Sequence, residues 1–224
     1  MLLEDERAEV AETCRALVRE GLVKGTSGNV SVRAGDAGEL VAISPGSVAY
    51  EELTPRDICV VDLDGNVVEG ARSPSSELRM HLGVYARTAA RATVHSHSPY
   101  ASVLSTLIEE LPAIHYMIVT LGGPVRVTDY ELFGSAELAE EAGACLADRH
   151  AVILGSHGGM TVGKTLREAF QRSVTLEWLC QLYYRAARFG SPRIMTPEQL
   201  DAVATQMRHY AYAKDAFRPD QSMG

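Results

Sequence analysis

The stretch Ile58-Cys59-Val60-Val61-Asp62-Leu63-Asp64-Gly65-Asn66-Val67-Val68-Glu69 holds two strand-like runs on either side of an Asp-Gly pair. Asp-Gly readily takes the positive-φ geometry of a tight hairpin turn, so residues 58–62 and 66–69 are predicted to pair as antiparallel strands. Upstream, residues 30–33 and 40–43 repeat the pattern of short apolar runs separated by turns. An amphipathic helix is predicted before them over residues 4–20, with Val10, Cys14, Leu17 and Val18 at helical spacing and Gly21 as its stop. Downstream the pattern changes. Pro74-Ser75-Ser76-Glu77 reads as a helix start, with a Ser to cap it and an acid near its positive end, and that helix is expected to reach about Ala90.

Strands are then expected over residues 93–97 and 116–120, with a short helix over 100–108 between them. A helix over 135–149 leads into an apolar strand at 151–154, and a further strand follows at 160–163. A long helix is predicted over 166–187, with Phe170, Val174, Trp178, Gln181 and Leu182 near one face. Pro197 suits the first turn of a last helix that ends near Tyr212. Hairpins with interspersed helices point to a mostly antiparallel sheet with helices packed on it, within a single domain spanning residues 1–224.

Composition removes several functional classes. Of the 224 residues, 29 are acidic and 21 basic, a formal net charge of −8, so the basic footprint of a nucleic-acid binder is missing. No apolar run approaches the roughly 20 residues of a membrane span, and the acidic opening MLLEDERAEV is unlike a signal peptide. Cys14, Cys59, Cys145 and Cys180 are dispersed without a CxxC pair, which reads as reduced thiols in a cytoplasmic protein.

The seven histidines are left to explain. In Val94-His95-Ser96-His97 the two imidazoles are two residues apart, and a strand would project both from one face, where they could grip one metal ion. Taken alone, such a pair is equally at home on a surface. A third candidate, His157, sits among small residues in Gly155-Ser156-His157-Gly158-Gly159, just after an apolar strand. Three histidines with one open position is the arrangement of a catalytic zinc site. The others carry less: His81 reads as a partly exposed helix residue, His115 as orienting a neighbour, His150 as a cation at a helix C-terminus and His209 as surface.

Together these fragments resemble the class II aldolase and adducin-head family. The resemblance runs from Gly21-Leu22 through Gly25-Thr26-Ser27-Gly28-Asn29-Val30-Ser31, Pro74-Ser75-Ser76-Glu77, Val94-His95-Ser96-His97, Pro112-Ala113-Ile114-His115-Tyr116-Met117, Phe133-Gly134 and His157-Gly158. It implies an α/β fold, a three-layer α/β/α sandwich around a central, mostly antiparallel sheet, usually assembled as a homotetramer with active sites at subunit interfaces. It also implies one Zn²⁺ (or another divalent metal) per subunit on His95, His97 and His157, with Glu77 as catalytic acid/base. Thr26, Gly28, Asn29, Ser75 and Ser76 match phosphate-cradling positions. Tyr116 matches a catalytic tyrosine supplied by a neighbouring subunit, Tyr210 a second tyrosine near the site, and Phe133 a position shaping the aldehyde pocket. One departure stands out. The family reads Thr-Pro-Ser/Thr-Gly where this chain has Ser44-Pro45-Gly46-Ser47, so the glycine and the hydroxyl residue are exchanged and Ser47 is the hydroxyl left to meet a phosphate.

The activity so implied is zinc-dependent, reversible cleavage of a ketose 1-phosphate, either L-fuculose 1-phosphate or a 5-deoxypentulose or methylthioribulose 1-phosphate. The products are dihydroxyacetone phosphate and an aldehyde, formed through a metal-stabilised enediolate. Backbone N–H groups and hydroxyls can hold the phosphate, so an acidic chain is no obstacle. The family's other reactions remain alternatives: 4-epimerisation of a pentulose 5-phosphate, dehydration of methylthioribulose 1-phosphate, decarboxylation of a tetronate phosphate, and a non-catalytic binding module like the adducin head. The epimerases place Asp where this chain has Glu77, and the adducin-like modules lack the metal histidines.

Overall fold

The computed structural model describes residues 1–35 and 37–216, with side chains to Tyr210. Helix α1 (Glu4–Arg19) is followed by four strands, β1 (Asn29–Ala34), β2 (Leu40–Ile43), β3 (Cys59–Asp62) and β4 (Val67–Glu69). Next come α2 (Leu78–Arg87), β5 (Ala92–Ser96), α3 (Pro99–Leu104), β6 (Glu110–Leu111) and β7 (Val125–Arg126). The chain then forms α4 (Ala136–Leu146), β8 (Ala151–Leu154), β9 (Gly158–Gly163), α5 (Leu166–Ala187) and α6 (Pro197–Ala216). Seven strands make one sheet in the order β4-β3-β2-β1-β5-β9-β8, and every pairing in it is antiparallel. The predicted hairpin is β3–β4: Gly65 has φ 89° and the Asp62 carboxylate accepts from the Asp64 and Asn66 N–H groups, closing the turn. β6 and β7 form a separate ribbon.

Both faces of the sheet are covered, and the two-residue period of the strands sorts side chains between them. Val30, Val32, Ala42, Ala92 and Val94 meet α1 and the start of α5. Ile153 meets α3 and the middle of α5. The opposite residues of the same strands (Val41, Ile43, Val61, Val152, Leu154, Met160 and Val162) meet α2 and α4. The result is the expected three-layer α/β/α arrangement.

Five local expectations are corrected. Residues 116–120 form a 3-10 helix (Tyr116–Leu121) instead of a strand: the His115 ring accepts the Met117 N–H, and the three-residue period buries Ile118 and Leu121 together. No serine side chain caps α2. Its start is Leu78, and Ser75 Oγ accepts the Glu77 N–H one turn earlier. The buried residues of α5 are Leu166, Ala169, Ser173, Leu176, Leu179 and Cys180, which turns Trp178 outward. α4 stops at Leu146, so His150 is no C-terminal cation; burial, with Arg172 nearby, pushes it toward its neutral form. The last helix runs past Tyr212 to Ala216.

Candidate active site

Antiparallel register brings the histidines together. Asn29 on β1 faces His95 on β5, and Ser96 faces Gly159 on β9. β5 ends at Ser96, so His97 lies just past the strand, while His157 occupies the Gly155–His157 turn of the β8–β9 hairpin. A Cβ on Gly158 would overlap the Ser96 carbonyl, so only glycine lets the hairpin approach β5 closely enough to place His157 beside His97. Nε2 of His97 lies 3.0 Å from Nε2 of His95 and 3.1 Å from Nε2 of His157. Glu77, at the N-terminal end of α2, brings Oε2 to 3.2 Å from His95 Nε2 and Oε1 to 3.3 Å from His157 Nε2.

His95 Nδ1 donates to the Gly159 carbonyl at 3.0 Å, which leaves its Nε2 as a lone pair aimed at the other imidazoles. Burial, followed by the neighbouring His95, pushes His97 and His157 down to about 4, so at neutral pH these two are uncharged. Burial alone would raise the Glu77 carboxyl; His95, His157 and the Asn29 amide outweigh it and hold the group below the usual carboxylate range. Neutral imidazole nitrogens converging at about 3 Å with a carboxylate, whose buried Oε1 has no hydrogen-bond donor, form a set of repelling lone pairs unless a cation lies among them. The four donor atoms lie within 4.8 Å of one another. Three imidazoles and one carboxylate suit a divalent metal ion.

A cleft of about 750 Å³ opens above this cluster. Its lining includes Glu77, His97 and His157 and, of the residues matched to phosphate and aldehyde positions, Thr26, Gly28, Asn29, Ser47, Ser75, Ser76 and Phe133. His95 is fully buried beneath it. The two loops forming one wall are laced together: the Ser75 N–H donates to the Ser44 carbonyl and the Gly46 N–H to the Ser73 carbonyl. Gly28 has φ 79°, and a Cβ there would press on Val23 and the His95 carbonyl. Ser47 sits at φ 59°, in the left-handed region that favours glycine, whereas Gly46 has ordinary room for a Cβ. The exchange of glycine and serine therefore places the strained backbone on Ser47. Tyr116 and Tyr210 are exposed and lie outside the cleft of their own chain.

Further residues belong to the site without having been read as such. Tyr50, buried, donates its hydroxyl to the Gly28 carbonyl and so pins the 26–29 loop. Tyr130, Glu131 and Ser156 line the cleft, Ser156 at φ 51°. His81 is wholly buried, not partly exposed, and hydrogen-bonds to Asn29 and Ser31. Its signal was available: Glu77, His81 and Tyr85 are spaced by four on α2, and Asn29 and Ser31 by two on β1.

Comparison with known proteins gives three kinds of match. The family described as Class II Aldolase and Adducin N-terminal domain matches residues 8–184. The 5-deoxy-D-ribulose 1-phosphate aldolase of Bacillus thuringiensis serovar kurstaki is 40% identical over 94% of this chain and 99% of its own length. The 5-methylthioribulose-1-phosphate/5-deoxyribulose-1-phosphate aldolase of Rhodospirillum rubrum is 36% identical over 91% of both chains. Among solved structures, an L-fuculose 1-phosphate aldolase superposes with a TM-score of 0.87 at 39% identity, covering 91% of this chain and 96% of that one.

Proposed function

The chain belongs to the class II aldolase and adducin N-terminal domain family, and on that footing we propose that it is a metal-dependent lyase cleaving a ketose 1-phosphate to dihydroxyacetone phosphate and an aldehyde. The observation that carries the reading is the convergence of three imidazole nitrogens and the Glu77 carboxylate at the floor of a cleft lined by Thr26, Ser47, Ser75 and Ser76. Zinc is the metal that best fits three neutral histidines with a position left open to substrate. When bound, the ion supplies an electrophile for the substrate carbonyl oxygen next to the scissile carbon–carbon bond.

The chain's own groups do the rest. Thr26, Gly28, Ser47, Ser75 and Ser76 hold the phosphate through neutral donors, which fixes the ketose end of the substrate over Glu77, while Asn29, matched to the same loop, gives its amide to Glu77 instead. In the condensing direction Glu77 takes a proton from C3 of dihydroxyacetone phosphate, and in cleavage it returns that proton. Phe133, at the cleft mouth, gives the aldehyde portion an apolar wall. Tyr116 does not line its own chain's cleft. It therefore acts across an interface of a homotetramer, donating a proton to the aldehyde oxygen that becomes the C4 hydroxyl, with Tyr210 brought close by the same assembly. Four free thiols suit a cytoplasmic setting, and among the described residues no helix is long and apolar enough to cross a membrane.

The test is a coupled assay for dihydroxyacetone phosphate across 5-deoxyribulose, methylthioribulose, fuculose and rhamnulose 1-phosphates, before and after chelation. Release from at least one, lost on chelation and restored by Zn²⁺, is expected. No release from any, with a pentulose 5-phosphate epimerised instead, overturns the reading.

A further inference from the structure

Behind the metal cluster lies a buried line of hydrogen bonds that the reaction above does not use. Asn29 Nδ2 donates to Glu77 Oε2 at 2.7 Å. Asn29 Oδ1 pairs with His81 Nε2, His81 Nδ1 lies 2.6 Å from Ser31 Oγ, and Ser31 Oγ lies 2.7 Å from the Tyr85 hydroxyl. All five residues are at most 6% exposed. The line alternates between two elements: Glu77, His81 and Tyr85 lie on one stripe of α2, Asn29 and Ser31 on one face of β1. Four residues of helix rise about 6 Å and two residues of strand about 6.7 Å, so the two rows mesh like a zip.

The polarity of the line is fixed from its active-site end. With Glu77 ionised, only the amide nitrogen of Asn29 can face it, because the amide oxygen would meet a carboxylate oxygen. Asn29 Oδ1 must then accept, so His81 carries its proton on Nε2. Burial pushes His81 down to about 3, so the ring is neutral and Nδ1 is an acceptor. Ser31 spends its single hydrogen on that nitrogen and takes one from Tyr85. Every donor therefore points toward Glu77. An amide does not pass protons along such a line, so this is no proton wire.

We infer that His81 is a positioning residue: through Asn29 it commits Oε2 of Glu77 to a fixed N–H and leaves Oε1, which has no donor of its own, as the oxygen that exchanges a proton with substrate. This inference rests on the reading of Glu77 as the acid/base of the proposed aldolase. Without His81 the Asn29 amide is free to turn, and the carboxylate loses its aim while the metal ligands and phosphate loops stay in place.

Two measurements test it. In ¹⁵N-labelled protein loaded with zinc, the His81 ring is expected as the Nε2–H tautomer at neutral pH, a readout independent of activity. His81→Phe, which keeps the volume and removes the donor, should lower kcat for dihydroxyacetone phosphate release about 10- to 100-fold. KM and zinc content should stay within about twofold of wild type if phosphate holding and metal binding are untouched. His81→Gln, whose amide can donate to Asn29, should recover most of the loss. An Nδ1–H tautomer, wild-type kcat in folded His81→Phe, or equal losses in both variants would overturn the proposal. Should His81→Phe not fold, the tautomer and the His81→Gln rate decide. Absence of any activity in the wild-type protein would instead sink the aldolase reading, and the tautomer would still report on the line.

Discussion

Glu77 has one oxygen tied to Asn29 and one with no donor, in a pocket that keeps it ionised. A group so placed is ready to take a proton once substrate is seated. Glu77→Gln preserves the size and the Asn29 contact but cannot accept the proton. The variant is expected to lose about 10²- to 10⁴-fold in kcat while retaining zinc, measured by coupled assay and metal analysis. Turnover at the wild-type rate would remove Glu77 from the chemistry. At the same scale, Ser47 shows what sequence could and could not say. The swap with Gly46 was visible in the chain, but that it leaves a serine in the left-handed region at the cleft wall depended on how loops 44–47 and 73–76 lace together.

Elements position the metal ligands by close backbone approach. The β8–β9 hairpin sits against β5 only because residue 158 has no side chain. Gly158→Ala forces the hairpin away from Ser96 and takes His157 with it. A loss of about 2 kcal/mol or more in unfolding free energy is expected, with a matching fall in bound zinc per chain, read by urea melts and metal analysis. Full zinc content in this variant would show that the hairpin can be moved without moving the ligand. The strands and long helices were readable from apolar periodicity, β8 and α5 to the residue. The segment 116–121 was not. Its Tyr-Met-Ile-Val-Thr run has strand composition, and what makes it a 3-10 helix is the His115 cap, a local bond, together with the burial of Ile118 and Leu121, which the rest of the fold supplies.

For the whole molecule, three histidines, His81 buried and His97 and His157 half-buried, couple folding to pH. His81 is pushed down to about 3, and His97 and His157 to about 4, all below the ordinary imidazole value of about 6.5. Between pH 6.5 and 4 the unfolded chain binds protons that the folded chain refuses, so stability is held above that window and lost on acidification. Each such group adds a slope of up to about 1.4 kcal/mol per pH unit. Urea midpoints of metal-free protein should therefore fall steadily from pH 7 to 4.5, and less steeply in His81→Gln; a flat profile would contradict the buried neutral state. Assembly has its own test. If Tyr116 serves a neighbouring cleft, Glu77→Gln and Tyr116→Phe chains are each deficient alone. Unfolded and refolded together in equal amounts, they should regain roughly a quarter of wild-type sites by random pairing. No recovery on mixing would show that Tyr116 does not act across the interface.

The sequence by itself determined most strands of the large sheet, the β3–β4 hairpin and the long helices, because periodicity and turn chemistry are properties of neighbours along the chain; the family resemblance, not local pattern, singled out the metal-cluster residues. It marked His95, His97, His157 and Glu77 but gave His81 no more than a place on a helix. Tertiary structure alone decided that His81 is buried between Asn29 and Ser31, that Ser47 bears a strained backbone, and that Tyr116 is exposed and does not line its own cleft. Each of those depends on the register of β1 with β5 and the seating of α2 on the sheet, and such long-range pairing is set by how whole faces pack, a property no local window of residues contains.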